Sequence, residues 1–245
     1  MRTLTHLSDL HFFRKSFKKP LKALVKSLVE LDPDLVLITG DLCDNGREEE
    51  YAQYQETFRP LIEAGKVSVL CGNHDRLNDD VARYMMNERV EVEAHKDLYL
   101  IKIDSTAPHN KFLIAGHGIV CKYVLRDVDK ALNEAPKDKV VVVALHHHPI
   151  PLAPESLLEH ISRRLGWPFA EELHLGKELI ELCKGRADLL CWGHKHKPME
   201  MLMNYKKDQR ILGLYNAGST PALRMYRVFK HKNGHIVEPP SWVRF

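Results

Sequence analysis

Val67-Ser68-Val69-Leu70-Cys71-Gly72-Asn73-His74-Asp75 is a short β-prone run that breaks at glycine into polar side chains able to hold a metal. Open α/β sheets keep their ligands at the C-terminal ends of strands, so this stretch reads as a strand delivering a site. The arrangement recurs four times. Thr3 to Leu7 ends in Ser8-Asp9-Leu10-His11, and Leu35-Val36-Leu37-Ile38 ends in Thr39-Gly40-Asp41. Lys139 to Leu145 ends in His146-His147-His148-Pro149, and Asp188 to Trp192 ends in Gly193-His194-Lys195-His196. One polar strand end is unremarkable, whereas five along one chain point to a shared site.

Working outward, Leu21, Leu24, Val25, Leu28 and Leu31 lie at helical spacing, and Asp32-Pro33 stops that helix because proline disfavours the helical conformation in the residue before it. Strand, helix, strand is the parallel βαβ unit. Tyr51, Tyr54, Phe58, Leu61 and Ile62 predict a second helix from Arg47 to Ala64, closed by Gly65. Short runs at Val90 to Ala94, Leu98 to Ile103 and Phe112 to Ala115 predict a second, more antiparallel sheet, and Val124 to Leu132 a helix. Three prolines between Pro149 and Pro154 make a loop. Leu157, Leu158, Ile161 and Leu165, and then Leu179, Ile180, Leu182 and Cys183, mark two helical stretches in a cap-like insertion at about 151–185. Its first helix reads foremost as an amphipathic helix packed on the sheet. In the sharper reading, Arg163, Arg164 and Trp167 help it cap an apolar or lipid-bearing phosphoester. Strands follow near Met199 to Met203, Arg210 to Tyr215 and Leu223 to Phe229, with a hairpin turn at Asn233-Gly234.

With 245 residues, 44% hydrophobic and 28% charged, the chain suits one domain spanning 1–245. Its 36 Lys+Arg against 33 Asp+Glu, a formal charge of +3, form no strong nucleic-acid signature. Cys43, Cys71, Cys121, Cys183 and Cys191 lie scattered without CxxC pairs, which suggests reduced core thiols. The N-terminus enters a strand without a signal-like apolar stretch, and no run approaches the roughly 18 apolar residues of a membrane span. The expectation is a soluble, cytoplasmic protein. What stands out is 15 histidines, since imidazole serves both metals and proton transfer near neutral pH.

Side chains at i and i+2 of an extended chain share a side, so Asp9-x-His11 and His194-x-His196 can each aim two donors into one site. Carboxylates, an amide and imidazoles without thiolate favour Mn²⁺, Fe or Zn²⁺ over a cysteine-type zinc site. Seven donors exceed one four-coordinate ion. They suit two divalent ions about 3.5–4 Å apart, as in phosphoryl displacement.

As a set, Asp9-Leu10-His11, Gly40-Asp41, Gly72-Asn73-His74-Asp75, His147 and Gly193-His194-Lys195-His196 resemble the signature of the calcineurin-like metallophosphoesterases, and Asn216-Ala217-Gly218-Ser219 is similar to that family's closing segment. The resemblance implies a four-layer α-β-β-α sandwich, an α/β fold with two facing mixed sheets and a dinuclear metal site at strand C-terminal ends. It implies that Asp9, His11 and His196 hold one metal, that Asn73, His147 and His194 hold the other, and that Asp41 bridges them. The family pattern H-x-P selects His147 and leaves His146 and His148 as structural residues or as support for the ligands. By the same resemblance His74 acts on the phosphoryl group or leaving group, Asp75 orients His74, and a metal-bridging hydroxide is the nucleophile.

The expected substrate is a small-molecule phosphoester, and the short form with its Leu-Ser-Asp-Leu-His run looks most like the cyclic-nucleotide phosphodiesterase group. Alternatives within the fold are a nucleotide-sugar or lipid pyrophosphohydrolase, whose typical motif has arginine where His74 stands, and a nuclease. From another class, a scaffold or binding module would share the fold with a degraded metal site.

Overall fold

The computed structural model describes residues 1–111, 116–150, 172–203 and 210–245. Three strands run parallel side by side: β1 (Arg2–Leu7), β2 (Leu35–Thr39) and β3 (Val67–Leu70), linked by α1 (Lys18–Leu31) and α2 (Glu48–Glu63). Then come β4 (Val90–Ala94), β5 (Leu98–Ile103), the short β6 (Gly118–Ile119), α3 (Lys122–Glu134), β7 (Val140–Ala144) and the two-residue β8 (Leu173–His174). They are followed by α4 (Gly176–Cys183), β9 (Leu189–Trp192), β10 (Met199–Met203), β11 (Leu212–Asn216) and α5 (Thr220–Leu223). Finally β12 (Met225–Lys232) returns antiparallel to β1 and carries β13 (His235–Ile236) and β14 (Ser241–Arg244) on its other edge pairings. The first sheet thus runs β13-β12-β1-β2-β3 with β14 on β12, and the second runs β10-β11-β9-β7-β5-β4.

Period-two alternation decides which residue faces which layer. Leu35 and Leu37 of β2 pack against Val140, Val142 and Ala144 of β7 in a cluster between the sheets. Val36 and Ile38 turn the other way, onto Leu24, Leu28, Tyr54 and Phe58 of α1 and α2. Likewise Val141, Val143 and Leu145 turn away from the first sheet, onto Val124, Val128, Leu179 and Cys183 of α3 and α4. Three apolar clusters between four layers make the α-β-β-α sandwich, with both sheets mixed.

The second sheet departs from the antiparallel expectation. Its centre, β5-β7-β9-β11, is parallel, and only the edge strands β4 and β10 run antiparallel. Short apolar runs do not record direction, which is set by crossovers through α3 and α4. Local signals did hold: Asp32 closes α1 in the left-handed conformation (φ 52°) ahead of Pro33, and Asn233 (φ 51°) and Gly234 (φ 76°) make the β12–β13 turn. The expected strand at 112–115 and the expected helix through Leu157 and Leu165 lie outside the described residues, as does 151–171 of the insertion. Among the described residues no helix is long and apolar enough to cross a membrane.

Leu37 is fully buried in the middle layer, while Ile62 on α2 is 38% exposed. Leu37→Ala should therefore cost about 2–5 kcal/mol in denaturant unfolding, and Ile62→Ala less than about 0.5 kcal/mol.

Candidate metal centre

The C-terminal ends of β1, β2, β3, β7 and β9 open onto one crevice, and the chain leaves them by sharp turns. Asp9 (φ 54°), His11 (φ 44°), Asp41 (φ 52°), His194 (φ 72°) and His196 (φ 54°) all sit in the left-handed region, which is rare for residues with a side chain. Backbone bonds hold these turns: Asp9 N–H donates to Gly40 O (3.1 Å) and His11 N–H to Asp41 O (3.0 Å). The donor pairs therefore converge through left-handed turns beyond the strands, and the expected extended i, i+2 geometry is not what aims them. Close approach explains two motif glycines. A Cβ on Gly72 would lie 2.2 Å from Asp41 Oδ1, and one on Gly193 would overlap Ser8 Oγ and come within 2.7 Å of Asp9 Oδ2.

The donors fall into two groups that share Asp41. In the first, Asp9, His11, Asp41 and His196 each offer an atom, all within 4.8 Å of one another. His11 Nε2 lies 3.1 Å from His196 Nε2, which lies 3.3 Å from Asp9 Oδ1. In the second, Asn73 Oδ1 is 3.1 Å from both His194 Nδ1 and His146 Nε2, and the latter is 3.4 Å from Asp41 Oδ2. Ring nitrogens this close to one another, to an amide oxygen and to two carboxylates form a cradle that divalent ions fit.

Within the triple histidine, the rings of His146 and His147 both lie beside His194 of the second donor group. His146 continues the even-numbered series Val140, Val142 and Ala144 that faces the first sheet, so its ring reaches Asp41 and Asn73. The His147 ring lies 4.9 Å from that of His194 between centroids, its Nδ1 meets Ser105 Oγ (2.8 Å), and its Nε2 is buried without a hydrogen-bond partner among the described residues. His148 packs on Trp192, whose Nε1–H donates to its Nδ1 (2.7 Å).

Three imidazoles of the crevice have an outer partner that orients them, a device common around metal-binding histidines. His11 Nδ1 faces Asp44 Oδ1 (3.1 Å), His146 Nδ1 donates to Thr39 O (2.8 Å), and His194 Nε2 faces Glu172 Oε2 (3.4 Å). Asp44, Glu172 and Ser105 are the residues that sequence reasoning missed. Asp44 follows Asp41 by three residues, and the even register of His146 was visible in β7. Glu172 left no signal.

His74 turns its ring away from Asn73. The Nδ1–H donates to Asp44 O (2.7 Å), and the ring meets His11 edge to face at 4.8 Å between centroids. Asp75 does not orient it. The buried Asp75 carboxylate instead accepts backbone N–H groups of Gly72 (2.8 Å), Cys43 (2.8 Å) and Leu42 (3.3 Å), tying the β3 turn to the β2 turn.

Charge in the crevice is balanced by mutual contacts. Burial pushes the Asp41 carboxyl up, but His146, His74 and His11 outweigh it and hold it well below the ordinary value. Burial also opposes a charged His146, yet Asp41 and then Asp9 raise that imidazole to about 9. Burial and the like charge of Asp41 raise Asp75 to about 7 despite its backbone donors. Burial, with His194 and His146 beside it, lowers His147 well below its ordinary value.

Residues 2–198 match the family model of the calcineurin-like phosphoesterases, and the chain belongs to that family as a hydrolase acting on phosphoric ester bonds. Curated relatives include a probable glycerophosphodiester phosphodiesterase of Arcobacter nitrofigilis, 26% identical over 235 residues that cover 90% of this chain and 77% of that one. Another is a 3′,5′-cyclic adenosine monophosphate phosphodiesterase of Pseudomonas aeruginosa, 24% identical, with 80% of this chain and 70% of that one covered. Among solved structures, a dimetal phosphatase from Danio rerio shares the fold with a TM-score of 0.57 at 11% identity, over 99% of this chain and 98% of that one.

His146 ordinarily titrates at 6.5 and here near 9, so in protein stripped of metal its charged form adds stability that is complete below pH 6.5 and is lost as pH rises through 9. Calorimetry of chelator-treated protein should show Tm falling across that window, with the slope flattened in His146→Gln. A flat wild-type profile would contradict the assignment.

Proposed function

We propose that the chain is a phosphodiesterase with a two-ion centre, acting on cyclic nucleotides or similar diesters. The observation that carries this reading is Asp41. Its Oδ2 stands 3.9 Å from His11 Nε2 in one donor group and 3.4 Å from His146 Nε2 in the other, so a single carboxylate serves both halves. Asp9, His11 and His196 would hold one ion, and Asn73, His194 and His146 the other, with His146 taking the place expected of His147. Manganese, iron or zinc suits this mixture of carboxylate, imidazole and amide oxygen. Bound there, two such ions supply Lewis acidity and the ionisation of water near neutral pH.

The chain's own groups do the remaining work. His74 is committed through Nδ1–H to the carbonyl of Asp44, so its Nε2 is the nitrogen left to meet a phosphoryl oxygen or to protonate the leaving group. Asp44 also faces Nδ1 of His11, so one residue positions a metal-binding ring and the substrate-facing ring together. Asp75 acts at one remove by fixing the turn that carries Asn73 and His74. The diester preference is supported by the names of the relatives above, which include both cyclic-nucleotide and glycerophosphodiester phosphodiesterases.

Hydrolysis of bis-p-nitrophenyl phosphate with Mn²⁺, measured alongside metal content, tests the reading. His74→Ala should keep both ions and lose about 10²- to 10⁴-fold in kcat. His146→Ala should lose the second ion, and His147→Ala should retain it. Full metal-stimulated activity in His146→Ala would sink the assignment.

A further inference from the structure

We propose that Glu172 is the positioning residue of His194, and through it of the second ion's site, an inference that rests on the two-ion reading above. His194 presents its two ring nitrogens to different partners. Nδ1 lies 3.1 Å from Asn73 Oδ1 inside the crevice, and Nε2 lies 3.4 Å from Glu172 Oε2 on the outer side. A neutral imidazole carries one proton, so these two acceptors compete for it. Only with the proton on Nε2 does Nδ1 keep the lone pair that an ion beside Asn73 requires.

The carboxylate has the stronger claim, because hydrogen bonds to an ionised acceptor are roughly twice as strong as those to a neutral amide. Lys195 Nζ pairs with Oε1 while Oε2 faces the ring, so the lysine offsets the charge and leaves the second oxygen to orient the imidazole. The carboxylate is held in place by its own backbone. Glu172 O accepts Gly118 N–H (2.9 Å), and β8 begins at the next residue, paired with β6.

That ribbon also lies against the neighbouring imidazole. A Cβ on Gly118 would come within 2.4 Å of the His147 ring, and Ile119 N–H donates to the carbonyl of Ser105 (2.9 Å), whose hydroxyl holds His147. Glu172, next to the β6–β8 ribbon, thus links the described part of the 151–185 insertion to the second donor group.

The test begins on ion-free protein. Long-range ¹H–¹⁵N spectra of histidine-labelled protein, with His194 assigned by loss of its signals in His194→Gln, report the tautomer directly. Wild type should show the proton on Nε2. In Glu172→Ala the proton should move to Nδ1, where Asn73 Oδ1 accepts it. Glu172→Gln, which keeps an acceptor oxygen and carries the test if the alanine variant does not fold, should be intermediate. Calorimetric titration with Mn²⁺ should then show the second-ion Kd weakened about 10- to 100-fold in Glu172→Ala, with the first-ion Kd unchanged. An unchanged His194 tautomer, or a second-ion Kd within about twofold of wild type, overturns the proposal. Uptake of a single ion by wild type would instead count against the two-ion reading, and the tautomer measurement on ion-free protein would still decide the role of Glu172.

Discussion

A buried carboxylate at the meeting point of two sheets governs this molecule. Asp41 leaves β2 where the C-terminal ends of the parallel strands converge, and it is almost wholly removed from water. A charge so placed is costly unless it is paired and hydrogen-bonded. Its oxygens face the N–H of His74 and the rings of His146 and His11. In ion-free protein the charged form of His146 supplies the compensating cation. A divalent ion in the same place would compete with that proton, so metal affinity and pH dependence are two views of one interaction.

The turns around Asp41 show what the fold gives up to make that meeting possible. Five donor residues hold left-handed backbone conformations, and Gly72 and Gly193 stand where any side chain would strike a donor. The imidazoles then depend on outer partners. Asp44, the Thr39 carbonyl, Ser105 and Glu172 each fix one ring, and they come from the end of β2 and the loop after it, the segment after β5 and the turn before β8. Rigid strands bring the donors near one another, and the outer partners decide which atom faces inward.

Much of this was legible in the sequence because it is local. The strands that precede Asp9, Asp41, Asn73 and His194 are short β-prone runs, and the breaks after them name the donors. The proline after α1 and the Asn233-Gly234 turn behaved as their backbone preferences require. What failed was non-local. Strand direction in the second sheet depends on crossovers, and the pairing of Glu172 with His194 depends on a ribbon formed far along the chain. The alternation through β7 was legible too, and it puts His146 on the inner face toward Asp41. Asp75 is the neighbour of His74 in sequence, whereas its carboxylate serves the backbone of two turns.

The family, the fold and the donor arrangement agree on hydrolysis at a phosphorus centre, and the account of how it is done turns on Asp41 lying between two ions. Anomalous difference maps from crystals grown with Mn²⁺ test that most directly. The account predicts two peaks about 3.5–4 Å apart, one on each side of Asp41, with His11 and His196 against one and Asn73, His194 and His146 against the other. A single peak, or a second ion held by His147 with His146 turned away, would contradict it.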